Sequence, residues 1–272
     1  MSSNFLESFR PLDRSALAKD FGKATKSICL TANDLDTLGT TLEIAVLAQS
    51  SKPWSALAKS ALPVDLAIPL RKAKKQPGVT FFETQETRKV GFYCLDKTAF
   101  PDQLSSIFSF QNVARQAMCF KRNSKTHKAS VCGAIVEMID NIFEHSGAIP
   151  SGIVGFLSTN EFLDICVADA GVGILKSLKQ NPAYAYLADG GMALSLAIKD
   201  GASRFPTSQG GDGRGHGFRT LFQGLNSLDA EIRLRSDDYS LEVGGRGIVD
   251  KNPSISQQAQ LRGFVVSFRI HY

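Results

Sequence analysis

The sequence predicts an α+β protein: a two-layer α/β sandwich with an N-terminal extension of mixed helix and strand. In the second half of the chain, short apolar segments that suit antiparallel strands alternate with segments of helical periodicity, an order typical of a sheet covered by helices. The 272 residues are 43% apolar and 21% charged, which suffices for a sizeable core. We place a division near residue 100, with 1–100 as an accessory region of unknown role and 101–272 as the domain that carries the motifs.

Helical spacing dominates the first part of the chain. It occurs in SALAKDFGKA (15–24), LGTTLEIAVLAQ (38–49) and PWSALAKSAL (53–62). VTFFET (79–84) and VGFYCL (90–95) have the composition of strands that pair with each other. The basic run RKAKK (71–75) is interpreted as a solvated loop. A further helix is predicted over 101–120, followed by a polar loop over 121–128.

The periodicity is clearer in the second half. It predicts a helix from Lys128 to His145, strands over 152–159 and 162–170, and helices over 192–201 and 218–228. The segments AEIRLRS (230–236) and YSLEV (239–243) are predicted to form a hairpin around Asp237 and Asp238. The final predicted strand covers 263–271.

Composition narrows the function classes. The net charge of +5 suits an anionic ligand but does not indicate a nucleic acid. The cysteines, none in a CxxC motif, are interpreted as buried thiols in a reducing compartment, and they suggest no metal site: they are Cys29, Cys94, Cys119, Cys132 and Cys166. The sequence contains neither an apolar signal core at its start nor an apolar run long enough to cross a membrane, so we expect a cytoplasmic protein.

One helix has two distinct faces. In AIVEMIDNIFEHSG a turn of about 100° per residue gathers the polar side chains on one side: they are Glu137, Asp140, Asn141, Glu144 and His145. A water-facing surface helix is one interpretation. The polar face has no Lys or Arg to pair with the acids, and a mid-helix Asn is a poor helix former. A carboxylate stacked four residues from an amide oxygen also suits a Mg²⁺ ion or a general base.

A second signal is the carboxylate in ICVADAGVGI. Asp169 ends an apolar strand, where a buried carboxylate is costly unless it finds donors. Gly171 and Gly173 follow at once and let the backbone approach a ligand closely. A plain strand-to-turn junction is the alternative interpretation.

The third signal is QGGDGRGHGFRTL (209–221), a glycine-rich stretch before a helix. Backbone N–H groups at a helix N-terminus suit phosphate oxygens. A Rossmann loop requires an apolar strand immediately upstream, and a Walker A loop requires Gly-Lys-Ser/Thr. This stretch has neither feature. The candidate phosphate-binding residues are Gly213, Arg214, Gly215, His216 and Gly217.

The order of the three signals resembles that of the GHKL ATPase superfamily, whose members include DNA gyrase B, MutL and histidine kinases and share the Bergerat ATP-binding fold. The resemblance covers roughly 128–272. It implies that Glu137 activates the attacking water, that Asn141 binds Mg²⁺ and that Asp169 accepts a hydrogen bond from the adenine amino group. Gly171 and Gly173 would then let the backbone run close to the base and the ribose. The stretch from Gly213 to Gly217 would end an ATP lid that begins near Leu175.

The resemblance implies ATP and Mg²⁺ as cofactors and an ATPase whose lid closure controls a protein partner or a homodimer. None of the four histidines has the setting of a phosphoacceptor, so a self-phosphorylating histidine kinase is not expected. Two alternatives stay open. One is a serine/threonine protein kinase similar to the anti-sigma-factor kinases, and the other is a nucleotide-binding switch that does not hydrolyse ATP.

Overall fold

The α+β class is confirmed by a computed structural model of the chain, which describes residues 38–50, 62–95, 104–120, 124–145, 152–199 and 217–272. Its α-helices are α1 (Leu38–Ser50), α2 (Val64–Lys75), α3 (Leu104–Ala117), α4 (Ser124–His145), α5 (Ile174–Leu178), α6 (Gly190–Ala197) and α7 (Gly217–Leu225). The strands are β1 (Thr80–Thr84), β2 (Lys89–Cys94), β3 (Ile153–Ser158), β4 (Phe162–Asp169), β5 (Ala230–Gly244) and β6 (Ser254–His271). None of the helices formed by these residues has the length and hydropathy that a bilayer-spanning segment needs.

The strands form one sheet in the order β1-β2-β3-β4-β6-β5, and every neighbouring pair is antiparallel. The predicted pairing of β1 with β2 is confirmed, and β2 continues the sheet onto β3. The turn between β3 and β4 is held by the Thr159 hydroxyl, which accepts the N–H groups of Glu161 and Phe162. The sheet therefore runs without a break across the predicted division near residue 100.

Both faces of this sheet are buried. Along β4, Leu163, Ile165 and Val167 enter one apolar cluster, whereas Cys166 and Ala168 enter another on the opposite face. Helices α3 to α7 contribute to the first cluster, and α1 and α2 to the second. Helices α1 and α2, which belong to the predicted N-terminal extension, form a third layer on the second face.

Helix α1 has an unusual burial pattern for a helix at the outside of a sheet. Its side chains from Leu38 to Val46 are all buried, including Thr40, Thr41 and Glu43. The position of a helix on a protein surface can be predicted from its periodicity when one face is polar and exposed. Over residues 38–46, α1 has no exposed side chain and so gives no such indication. Periodicity therefore predicted the helix and left its place in the fold open.

Two basic or polar segments predicted as loops are helical. The run RKAKK forms the last turns of α2, where Arg71 and Lys75 are exposed while Ala73 is buried. Cations in the last turn of a helix interact favourably with its dipole, which accounts for the run. Helix α4 begins at Ser124, so most of the predicted loop over 121–128 belongs to it.

The hairpin predicted around Asp237 and Asp238 is also wrong. Strand β5 is continuous from Ala230 to Gly244, and both of its halves pair with β6. The pairing register shifts at Ser236–Tyr239, and Asp237 has a left-handed φ of 54°. The two aspartates therefore lie at an irregular stretch of the β5–β6 pair, where extra residues of β6 face them.

The cysteines differ in exposure. Cys94 and Cys166 are buried, Cys132 is half-buried and Cys119 is exposed, which corrects the prediction for Cys119. All four are free thiols. Cys29 and the segments 15–24 and 53–61 lie outside the described residues.

Candidate functional site

Helix α4 spans the sheet from one end to the other. Near its start, the His127 ring lies 5.4 Å from that of Phe120, which in turn lies 5.0 Å from that of Tyr272. Near its other end, Ile142 packs against Gly152, where a Cβ atom would lie 3.0 Å from the Ile142 side chain. Gly152 precedes β3 at the point where β3 pairs with the end of β4. The second half of α4 therefore lies at the end of the sheet where Asp169 is found.

Helix α7 begins at this same end. The ring of Phe218 lies 5.7 Å from that of Phe264, and Phe264 is the strand partner of Asp169. At the far end of α7, a Cβ atom on Gly224 would lie 3.4 Å from the carbonyl oxygen of Ser130 in the first half of α4. The two helices are thus antiparallel neighbours, and the N-terminus of α7 lies beside the second half of α4.

Asp169 is the last residue of β4, and its side chain is 4% exposed. Residue alternation along β4 puts it on the same face as Leu163, Ile165 and Val167, the face that α4 covers. Its Oδ1 accepts the N–H of Gly171 at 2.5 Å. The predicted strand-end carboxylate is therefore in place, and it is held by the loop that follows it.

The Asp169 loop is fixed to β5 at the irregular stretch of the β5–β6 pair. The Ile174 N–H donates to the hydroxyl of Ser236 at 2.8 Å, and the Leu175 N–H donates to the carboxylate of Asp237 at 3.4 Å. The Ser236 hydroxyl lies 3.1 Å from both the carbonyl oxygen of Gly263 and the carboxylate of Asp237, and its one proton can be donated to either of them. Sequence reasoning missed Ser236 and Asp237, because this stretch was interpreted as a turn.

Gly263 brings β6 against the back of this loop. Its φ is 94°, and a Cβ atom there would overlap the carbonyl oxygen of Asp169 and lie 2.7 Å from the Cα of Ala170. Both observations require glycine. The final predicted strand begins at Gly263, and only the longer β6 of the structure makes it a glycine within a strand, which is typical of a close backbone approach.

The amphipathic pattern predicted for α4 is confirmed on its apolar side. Ile135, Met138, Ile139 and Ile142 are buried. On the other side Asp140 is exposed, while Glu137 and Asn141 are half-buried. The side chains of Glu144 and His145 lie outside the described residues. Glu137 and Asn141, the two residues assigned a chemical role, are thus less exposed than Asp140 on the same helix.

Asn141 has one orphaned polar atom. Its Nδ2 is buried, and no described residue forms a hydrogen bond with it. A buried amide without partners costs free energy, and such a group in a native protein calls for a ligand, an ion or a water. The oxygen and nitrogen of an amide are interchangeable by a flip, so either atom can take the orphaned position.

The glycine-rich stretch is described only at its end. Gly217 begins α7, whereas Gly213, Arg214, Gly215 and His216 lie outside the described residues. The start of the predicted lid is not a separate flap. Ile174, Leu178, Leu187 and Leu194 belong to the main core, and α6 packs on β5. Residues 174–197 of the predicted lid region therefore belong to the packed core, and the part from 200 to 209 lies outside the described residues.

A cleft of about 340 Å³ opens on the outer side of the Asp169 loop. It is lined by Gly171, Val172, Lys176, Asp237, Gln260, Leu261, Arg262 and Gly263. Burial raises the pKa of Asp237, although hydrogen bonds from Ser236 and Leu175 lower it. Within the described ranges, no group of three or more His, Cys, Asp or Glu side chains is arranged to hold a metal ion.

No protein-family model matches this chain. A search of curated proteins likewise finds no match.

Proposed function

We propose that the chain binds ATP with Mg²⁺ in a Bergerat-type site, hydrolyses it, and controls a protein partner through closure of a lid. One observation carries this proposal. Asp169, the half of α4 with Glu137 and Asn141, and the N-terminus of α7 meet at one end of one face of the sheet. The described parts of three motifs that are distant in the sequence thereby lie at the same end of the sheet.

Adenine recognition is assigned to Asp169. A carboxylate offers about four acceptor positions, so a ligand N–H can be added to the bond from Gly171. The bond from Gly171 also fixes the carboxylate's orientation. Inside a largely water-free pocket, an acceptor that meets an exocyclic amino group discriminates strongly against a base that lacks it.

The phosphates are assigned to the N-terminus of α7 and the glycines before it. The first N–H groups of a helix have no partner within the helix, and its dipole favours anions. Gly217 opens α7, and Gly213 and Gly215 would let the preceding backbone approach the phosphate oxygens. Arg214 and His216 add donors in the same stretch.

Asn141 and Glu137 are assigned to the metal and to proton transfer. The orphaned amide of Asn141 fits a hard cation, which accepts amide oxygen ligands. A bound Mg²⁺ would neutralise phosphate charge during transfer. Glu137 lies one helical turn before Asn141 on the same face, where its carboxylate can orient and deprotonate a water.

The first experiment measures phosphate release by the purified chain with ATP and Mg²⁺. We expect Glu137→Ala to lower the release rate by about 100-fold, a typical contribution of a general base, while ATP affinity changes by no more than about twofold. Asp140→Ala is the matched control, because this acid lies on the same helix but is exposed. Equal release by Glu137→Ala and the native chain would contradict the assigned role.

A second experiment isolates the metal ligand by a binding readout. We expect Mg²⁺ to increase the ATP affinity of the native chain but not that of Asn141→Ala, as measured by calorimetry with Mg²⁺ or with EDTA. An undiminished Mg²⁺ effect in Asn141→Ala would remove this residue from the metal site. Transfer of the γ-phosphate to a partner protein, with little phosphate released to water, would favour the serine/threonine kinase alternative. ATP binding with neither transfer nor phosphate release would favour the nucleotide-binding switch.

A further inference from the structure

Strand β1 forms one outer edge of the sheet. Among the strands of the described residues it pairs only with β2, and the register of that pairing is regular from Thr80 to Thr84. Neither a bulge nor a proline interrupts the strand. An edge of this kind offers its outward backbone N–H and C=O groups to a further strand.

The residues that direct these groups outward can be identified. Just after β1, Gln85 and Arg88 form a hydrogen-bonded pair, since the N–H of each donates to the carbonyl oxygen of the other. Hydrogen-bonded and non-hydrogen-bonded pairs alternate along an antiparallel ladder. Phe81 and Glu83 are therefore bonded to β2, whereas three residues direct their backbone groups to the open edge: they are Thr80, Phe82 and Thr84.

The side chain in the middle of this edge is apolar and exposed. Phe82 is 56% exposed. It lies on the face of the sheet that α3 covers, because its neighbour Phe81 packs into the apolar cluster of the opposite face. Val79, just before the strand, is 44% exposed. Two large apolar side chains thus lie in water along one short edge, and a paired strand would cover part of both.

Strand β1 is complementary to a second copy of itself. When two copies pair antiparallel about a two-fold axis at Phe82, Phe82 stands opposite the partner's Phe82, and Thr80 opposite the partner's Thr84. All outward residues of both copies are then paired. The two Phe82 rings lie on the same face with Cα atoms about 5.5 Å apart, which suits an aromatic pair. The hydroxyl of Thr80, which forms no hydrogen bond with a described residue, has a threonine opposite it.

The charges of the strand fit this register. Glu83 is directed to the α2 face, where Lys72 lies 4.0 Å from it, and it stands opposite the partner's Phe81 rather than another acid. Beyond the strand, the exposed Glu86 comes to the partner's Gly78, in the turn that follows the basic end of α2. A register centred on Glu83 would instead place two carboxylates opposite each other, which is destabilising.

We propose that the chain forms a two-fold symmetric dimer in which the β1 strands of two copies pair antiparallel and join their sheets into one. A second copy supplies the aromatic ring, the threonine and the complementary charge in a single register. None of these contacts uses Glu137, Asn141 or Asp169, so the dimer can be tested independently of nucleotide binding.

The test is the mass of the full chain in solution, measured by sedimentation velocity over a series of concentrations. We expect an equilibrium between monomer and dimer. Phe82→Lys places two like charges opposite each other at the two-fold axis and should raise the dimer dissociation constant by at least about tenfold. Because Phe82 is exposed, the variant should keep the native circular dichroism spectrum.

The matched control is Met192→Lys, which places the same charge on another exposed apolar residue. Met192 belongs to α6, and α6 packs on β5 at the other edge of the sheet. This control should change the dissociation constant by no more than about twofold. A native chain that is monomeric at every concentration, or an equal effect of the two variants, would overturn the proposal.

The register is tested by disulfide formation between copies. Cα atoms about 5.5 Å apart permit a disulfide. Phe82→Cys should therefore form a covalent dimer under mild oxidation, whereas Met192→Cys measures the background from the native cysteines. Equal amounts of covalent dimer in the two variants would show that the two β1 strands do not pair at Phe82.

Discussion

Glu43 of α1 accepts a hydrogen bond from Arg235 of β5 at 2.8 Å, with both side chains almost fully removed from solvent. Its second oxygen accepts from Arg233 at 3.1 Å, and Arg233 also pairs with Glu242 at 3.0 Å. Two acids and two guanidinium groups thereby neutralise one another between α1 and the sheet. This network fixes α1 on the second face at a defined position.

Loss of the central acid should destabilise the chain strongly. Glu43→Gln leaves buried guanidinium charge without compensation, a change that typically costs about 3–5 kcal/mol of unfolding free energy. Glu83→Gln is the control, because its pair with Lys72 is 4.0 Å long and lies near the surface, so it should cost less than about 1 kcal/mol. Urea denaturation measures both. Similar losses in the two variants would show that the buried network does not hold α1.

Two glycines with similar backbone angles should respond differently to alanine. Gly263 has a φ of 94° and is in contact with the backbone of Asp169 and Ala170, whereas Gly78 has a φ of 82° and open space around it. Gly78→Ala should lower the free energy of unfolding only by the cost of backbone strain, about 1–3 kcal/mol. Gly263→Ala adds a backbone clash and should lose more than 3 kcal/mol, the size seen for severe core defects. Equal losses of unfolding free energy would contradict the close approach of β6 to the Asp169 loop.

Asp237 predicts a specific pH dependence of stability. Burial raises its pKa above the ordinary value of 3.8, so the folded chain holds this proton more tightly than the unfolded chain does. Stability therefore falls as the pH rises through the interval between the ordinary and the raised pKa. Asn keeps an acceptor for the Leu175 N–H and tolerates the left-handed φ.

We therefore expect Asp237→Asn to be more stable than the native chain at pH 7, and this advantage should disappear as the pH falls towards 3.8. Thermal melts over this pH range measure the difference. A variant that is less stable than the native chain at pH 7 would show that the carboxylate is needed in its charged form.

The thiols should differ in reactivity. Burial raises the pKa of Cys94 to about 12 and that of Cys166 well above the ordinary thiol value, whereas Cys119 is exposed. Only the thiolate reacts quickly with alkylating reagents. At pH 8 we expect maleimide to label Cys119 in the folded chain, and Cys94 and Cys166 only after unfolding. Peptide mapping by mass spectrometry reads each site, and rapid labelling of Cys166 in the folded chain would contradict its burial.

The sequence predicted the elements whose signal is local. Helix α4 has a long apolar face, so its periodicity alone predicts it, and Asp169 was found because a carboxylate at the end of an apolar strand is chemically unusual. The role of the N-terminal region as a third layer could not be read from periodicity, because no side chain of α1 from Leu38 to Val46 is exposed.

The supporting residues of the site could not be predicted in the same way. Ser236 and Gly263 reach the Asp169 loop only through the register of β5, β6 and β4, which is a property of distant pairing. Asp237 has turn chemistry that an irregular stretch of paired strands and a hairpin share. The local sequence therefore identified the residue types, while the register decided which of them meet.

The most direct test of the central claim is the affinity for ATP of the native chain and of Asp169→Asn, measured by calorimetry with Mg²⁺. Asn preserves the size of the side chain and an acceptor for the Gly171 N–H. It also replaces one acceptor with an NH₂ group that repels the adenine amino group. We expect ATP to bind the native chain and the variant to bind it at least about tenfold more weakly, a difference of about 1.4 kcal/mol. Unchanged affinity in Asp169→Asn, or no ATP binding by the native chain, would contradict the account.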